Sequence, residues 1–264
     1  IFFLQIYFLG FLNYFIMNIY IAEATGTAIL ILLGNGAVAN VVLNQSKGQK
    51  SGWIVITAGW GMAVALAVYT VGRISGAHIN PAVTVALASI DAFEWAKVPG
   101  YIAAQMLGAF IGSVLVYLSY YAHWGVTEDK ASKLACHCTA PAIRKNGPAF
   151  MTEVIGTAML IFGVLALGKV ALGAQDGQEA WTMAVGTWFG PSLVGLLVFA
   201  IGVSLGGPSG YAINPARDLG PRIAHSLLPI PGKGHSDWSY AWIPVVAPLL
   251  GGILGAKLFI LLQL

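Results

Sequence analysis

The polar chemistry of this apolar chain is concentrated in two copies of one tripeptide. Asn80-Pro81-Ala82 and Asn214-Pro215-Ala216 each set a strong helix-capping side chain before a proline suited to the first helical position. Both read as helix starts. Capping engages the asparagine oxygen and leaves its amide N–H₂ free to donate elsewhere. Arg217 follows the second copy directly and adds a fixed charge with several donors, with Asp218 beside it as a candidate counter-charge. His78, two residues before the first Asn, reads as a neutral hydrogen-bonded ring rather than a protonation gate. Glu23 and Glu153 read as buried acceptors for backbone N–H groups rather than as a proton relay. These residues make hydrogen bonds and electric fields, not covalent bonds. No HExxH or GxSxG run occurs. The tripeptide Cys136-His137-Cys138 is too tight for an unstrained disulfide and falls short of the four ligands of a zinc site. An enzyme, a cofactor and a metal are therefore not expected.

The elements that position these residues must lie in a membrane. The chain is 58% apolar and 9% charged, against about 25% charged in an ordinary soluble domain, so its apolar surface requires lipid as a partner. The formal charge of +3 is scattered, which leaves no basic patch for nucleic acid. Uncharged runs at residues 24–46, 53–72, 98–120, 154–168 and 189–216, with 241–264 carrying only Lys257, predict six membrane spans. A polar stretch near 121–150 divides them three and three. Apolar runs at 74–90 and 207–216 remain and are too short or broken to cross. Residues 1–16 read as an apolar leader or extended terminus, with Met17 a natural start.

The two halves repeat each other. Glu23-Ala-Thr-Gly-Thr-Ala returns as Glu153-Val-Ile-Gly-Thr-Ala, and the segment around Asn80 returns at nearly the same offset around Asn214. Three spans per half force the second half into the bilayer inverted, which places the functional site where the broken segments meet. This predicts a first repeat over 17–120, a polar loop over 121–150 and a second repeat over 151–264. A helix from Pro81 to about Ala88 is roughly 12 Å long, under half of a hydrocarbon core of about 30 Å. Two such half-helices can meet tip to tip with their positive ends facing one midpoint. Residues 75–79 and 207–213, including Gly210 and Ala212, must then run extended inside the membrane. Their unpaired carbonyls are tolerable only where they line a wet pore. Arg217, one turn into the second half-helix, costs about 2.5–3.5 kcal/mol to insert and reads as a pore residue that repels cations and protons. Gly108 with Gly112, Gly202 with Gly206, and Gly251 with Gly255 have helix-packing spacing.

The paired Ser-Gly-x-x-Ile-Asn-Pro-Ala segments, with Arg217 after the second, resemble the aquaporin family, the major intrinsic proteins. The likeness covers the chain from about residue 17 onward. It implies an all-α membrane protein of six transmembrane helices plus two re-entrant half-helices in an inverted 3+3 repeat. It further implies a pore in each protomer, usually in a homotetramer in the cell membrane, with an internal amino terminus. That orientation puts Arg73, Lys97, Lys169 and Lys257 inside and the other nine basic residues outside or in the pore mouth, against the usual charge bias. By the family's spacing the narrowest ring falls on Trp60, Gly202, Tyr211 and Arg217. Water-selective members tend to place Phe, His and a small residue at the first three positions. Gly202 is expected to vacate volume, and Trp60 with Tyr211 to form an aromatic corner for the carbon side of a polyol. Arg217 and backbone carbonyls would then bind its hydroxyls. Asp218 and the long polar connection are similar to those of glycerol facilitators, whereas Tyr211 stands where those commonly carry Phe. The resemblance thus implies a passive channel for glycerol and other small uncharged solutes, also passing water. A mainly water-selective channel is the alternative, and an ion-coupled secondary transporter the reading from another class.

Overall fold

The computed structural model describes residues 18–172 and 186–263, so the expectation for residues 1–16 lies outside the described residues. Helix α1 (Ile19–Val42) is started by Asn18, whose side chain accepts from the backbone N–H of Tyr20 and Ile21 at 3.0 and 2.9 Å. Helix α2 (Trp53–Ser75) stops at Gly76, which takes the left-handed conformation at φ 81° that glycine adopts without strain. The first half-helix, α3 (Pro81–Ala88), is followed by α4 (Val98–Ser119). Two short helices, α5 (Tyr121–Val126) and α6 (Lys130–Ala135), lie in the polar connection. Among the described residues the second half contains α7 (Asn146–Leu172), α8 (Gly190–Leu205), the half-helix α9 (Pro215–Leu227) and α10 (Ile243–Leu261).

Five of these helices are long and apolar enough to cross a bilayer, and α8 adds a sixth, shorter apolar helix. The helix bounds depart from the uncharged windows in an instructive way. Helices α1 and α7 begin before Glu23 and Glu153, because both carboxylates are buried and hydrogen-bonded inside the bundle instead of marking a membrane edge. Helix α8 ends at Leu205 although the uncharged run continues, since Gly206, Gly207 and Pro208 release the chain into the second re-entrant segment.

Matching helices of the two halves pack by the same device. A Cβ on Gly108 would stand 2.1 Å from the carbonyl oxygen of Ala24, and one on Gly251 2.3 Å from that of Val154. Helices α1 and α4, and likewise α7 and α10, touch backbone to backbone there, as small residues allow in lipid. Outward-facing side chains such as Leu66, Leu107, Leu196 and Leu254 are exposed, which suits a surface solvated by acyl chains.

Candidate functional site

The site is assembled from two strained segments and the helices they start. Asn80 caps α3 by accepting from the N–H of Ala82 at 2.8 Å, and Asn214 caps α9 by accepting from Ala216 and Arg217 at 3.0 and 3.2 Å. The asparagine amides are less free than expected. Asn80 Nδ2 donates to the carbonyl of Ile213 at 2.9 Å, and Asn214 Nδ2 donates to the carbonyl of Ile79 at 2.9 Å. One amide hydrogen of each therefore locks the two halves together, and the second has no partner among the described residues.

Ahead of each asparagine the backbone takes the left-handed region at matching positions. Ala77 and Ile79 have φ of 48° and 45°, and Tyr211 and Ile213 have 38° and 43°. A β-branched residue in that region is strained, so something must hold it. Glu23 accepts from the N–H of His78 and Ile79 at 2.9 and 2.7 Å, from Ser75 Oγ at 2.6 Å and from Gln105 Nε2 at 2.7 Å. Glu153 accepts from the N–H of Ala212 and Ile213 at 2.9 and 2.8 Å. The amides are pulled back from the bore. The carbonyls of Gly76, Ala77 and His78, and of Tyr211 and Ala212, accept no hydrogen bond from the described residues. Both glutamates act as the acceptors that the sequence suggests. His78 is fixed through Nδ1 to Thr84 Oγ1 at 3.0 Å and packs between Phe93 and Tyr101, with ring centroids 4.6 and 4.9 Å away.

Trp60, Tyr211 and Arg217 come together, with the guanidinium carbon of Arg217 4.1 Å from the centre of the Trp60 ring. The indole rests on a glycine that sequence reasoning missed. A Cβ on Gly34 would meet the Trp60 ring at 2.3 Å. Its repeat mate in the second half is Val164, and no sequence signal singles Gly34 out. Gly202 behaves differently from the expectation. The space it opens is filled by Tyr211, whose Cζ would lie 2.9 Å from a Cβ there, so the glycine seats the tyrosine ring instead of widening the bore directly. Gly206 does the same for Tyr211 and Trp53, and the pair at 202 and 206 serves aromatic packing more than helix packing. Trp60 Nε1, Tyr211 Oη and Arg217 Nη1 are all buried and have no protein partner among the described residues. Three polar groups of the cavity lining are thus left without protein partners.

These residues line a cavity of about 380 Å³ that runs past both asparagines. Its few polar atoms come from residues 76–80, 211–214 and Arg217. The rest of the lining is apolar and obeys the repeat: Leu30 answers Leu160, Val64 answers Val194, and Val68 answers Val198, all at the offset that relates Glu23 to Glu153. Gly202 and Gly210 do not line it; Gly210 (φ 83°) is backed by Thr139.

Asp218 makes no ion pair with Arg217. It pairs with Arg222, whose Nε lies 2.8 Å from Asp218 Oδ1, and it accepts from Thr139 N and Oγ1 at 2.7 and 2.6 Å. Arg222 also donates to the carbonyls of Thr139, Ser236 and Asp237. This cluster pins the polar connection against the second half-helix. Sequence reasoning passed over Arg222, although its place one turn after Asp218 within one helix is a readable signal. The contrast with Arg217, whose side chain hydrogen-bonds to none of the described residues, separates the scaffold arginine from the one facing the bore. Cys136 and Cys138 are buried free thiols, and the described residues hold no cluster of three potential metal ligands. His137 between them is buried, its Nδ1 2.6 Å from Ser113 Oγ, and burial pushes its pKa down to about 3.

Comparison with known proteins agrees with this architecture. Residues 13–259 match the family model described as major intrinsic protein. The chain is 60% identical over 243 residues to "Probable glycerol uptake facilitator protein" of Thermotoga maritima, covering 92% of this chain and 98% of that one. It is 51% identical to "Glycerol uptake facilitator protein" of Bacillus subtilis, covering 92% and 84%. Among solved structures, the aquaglyceroporin from Plasmodium falciparum superposes with a TM-score of 0.77 at 31% identity, over 91% of this chain and 93% of the other.

Proposed function

The chain belongs to the major intrinsic protein family, and from that premise we propose that it is a passive channel for glycerol and other small uncharged solutes. It is a multi-pass membrane protein of a family of channels, and relatives at 51% and 60% identity carry the name glycerol uptake facilitator. The observation that carries the substrate reading is the mixed lining of the cavity. A polyol has hydroxyls along one edge and C–H along the other. A mainly apolar bore with repeat-related Leu and Val side chains, into which carbonyls, asparagine amides and Arg217 are set, matches that pattern. Trp60 and Tyr211 take the carbon edge at the constriction, while Arg217 and the carbonyls of Tyr211 and Ala212 take the hydroxyls.

Water follows the same path through the same donors and acceptors. Cations and protons are repelled by the charge of Arg217 and by two half-helix N-termini that meet at the centre. The exposed apolar belt faces lipid, and the working unit is a homotetramer with one pore per protomer. One observation favours a mainly water-conducting channel: Tyr211 occupies the room beside Gly202 and brings a hydroxyl to the ring. A coupled transporter is disfavoured because Glu23 and Glu153, the intramembrane acids at the site, are taken up by backbone amides.

Stopped-flow light scattering on proteoliposomes decides between these readings. Under an inward glycerol gradient the vesicles are expected to shrink and then re-swell rapidly. Fast shrinkage without re-swelling would replace the glycerol reading by the water channel, and saturable uptake driven by an ion gradient would replace both.

A further inference from the structure

Trp53, the first residue of α2, reads in sequence as one of the tryptophans that sit at a membrane interface with the indole N–H turned to water. Its N–H points the other way. Trp53 Nε1 donates to the carbonyl of Gly202 at 2.9 Å, the same carbonyl that accepts from Gly206 N at 3.2 Å. Its ring meets Tyr211 edge to face, with centroids 5.8 Å apart and an interplanar angle of 74°. Both glycines of the Gly202–Gly206 pair make room for this arrangement. A Cβ on Gly206 would lie 2.6 Å from Tyr211 Cδ1 and 2.9 Å from Trp53 Cζ2.

Tyr211 therefore sits in a slot with three sides. Gly202 and Gly206 form the floor, Trp53 closes the outer end, and the remaining side is the bore, which Tyr211 lines. The backbone at Tyr211 is in the left-handed region at φ 38°, and its hydroxyl has no partner among the described residues. The side chain is thus held by packing rather than by a hydrogen bond of its own. We infer that Trp53 is a specificity-determining positioning residue: by clasping the Gly202 carbonyl and bracing the Tyr211 ring, it sets how far that ring projects into the bore and hence the size of solute admitted. Trp53 touches no solute in this account; it acts through Tyr211. The inference rests on the reading of Trp60, Tyr211 and Arg217 as the narrowest ring, but not on glycerol as the solute.

The test compares native protein with Trp53→Ala and Trp53→Phe in proteoliposomes, across a ladder of neutral solutes from water and urea through glycerol to erythritol. Removal of an aromatic brace of this kind corresponds to a change of about threefold to tenfold. Trp53→Ala is expected to shift the glycerol-to-water permeability ratio by that factor and to admit erythritol. Trp53→Phe keeps an aromatic edge but loses the N–H and falls between. Ile54→Ala, at a neighbouring side chain that is 61% exposed on the outer surface, leaves the ladder unchanged. Size-exclusion and thermal-unfolding profiles separate folding from selectivity, because a merely structural tryptophan would lower the amount of active channel without altering ratios. A Trp53→Ala channel with the native ladder overturns the inference. If Trp53→Ala does not assemble, a native ladder in Trp53→Phe overturns it equally. A native protein that passes no glycerol would refute the glycerol reading alone, and Trp53 would then be judged by whether its variants move the size cut-off.

Discussion

Gly202→Ala probes the ring with a single methyl group. The added carbon would stand 2.9 Å from Tyr211 Cζ, 3.0 Å from Tyr211 Cε2 and 2.9 Å from Thr57 Cγ2, whereas ordinary contact begins at 3.4 Å. Tyr211 must therefore move by about 0.5 Å, a displacement that a closely packed interior resists. Trp53 and Gly206 block its retreat, so the ring moves toward the bore. Overpacking of this size costs about 1–3 kcal/mol. Placed on the permeation barrier, it slows glycerol by about fivefold to 150-fold. Water, which needs a narrower opening, loses much less. The assay is stopped-flow scattering with water and glycerol measured on the same vesicles, normalised to the amount of reconstituted protein. Gly202→His extends the series in the same direction. Equal losses of water and glycerol, or unchanged glycerol flux, would refute the claim that Tyr211, seated on Gly202, gauges the solute.

Other perturbations follow from the same geometry. Glu23→Gln turns one of the two oxygens into a donor facing two donors, so two charge-assisted hydrogen bonds are lost at about 1.5–3 kcal/mol each, partly offset by removing a buried charge. A clear drop in the unfolding midpoint in detergent, together with loss of glycerol flux, is expected, and a native midpoint would contradict the role of Glu23 as backbone anchor. Arg217→Ala removes a unit charge that at about 7 Å and an effective dielectric near 20 opposes a cation by about 2 kcal/mol, so proton leak measured with an entrapped pH dye rises about tenfold or more. An unchanged leak would move the proton barrier to the half-helix ends. His137 is buried and neutral, with a pKa of about 3 against an ordinary 6.5. Its effect is absent above pH 6.5; below it the unfolded chain takes up a proton that the folded chain refuses, and stability falls by up to about 1.4 kcal/mol per pH unit. Thermal unfolding from pH 7.5 to 4.5 is expected to show this slope, and His137→Phe to make it shallower by the share of one histidine.

The repeat, the half-helix starts and the burial of Arg217 are legible in the sequence because each is a local pattern: a cap, a proline, a charge inside an apolar run. The roles of Glu23 and Glu153 are legible because the repeat places two acids where two unpaired backbone segments have to be held. Gly202, by contrast, reads as open volume, since sequence shows a missing side chain but not which neighbour fills the gap. Adjacency assigns Asp218 to Arg217, although a helix brings it to Arg222 one turn on. Gly34 escapes notice because its only signal is the breadth of Trp60, a residue on another helix.

The crossed bonds between Asn80 and Ile213, and between Asn214 and Ile79, bear on how the molecule is made. A ribosome delivers the first three membrane-crossing helices well before Asn214 exists. Until then Ile79 has a carbonyl and Asn80 an amide with no mate, in a setting where an unmet polar group is costly. The early half must wait at the translocon in a loose, wetted form, and the arrival of the second half closes both bonds at once. Synthesis should thus show a late, all-or-none gain of protease resistance as Asn214 enters the membrane. Two halves translated as separate chains should complete each other only when both are present.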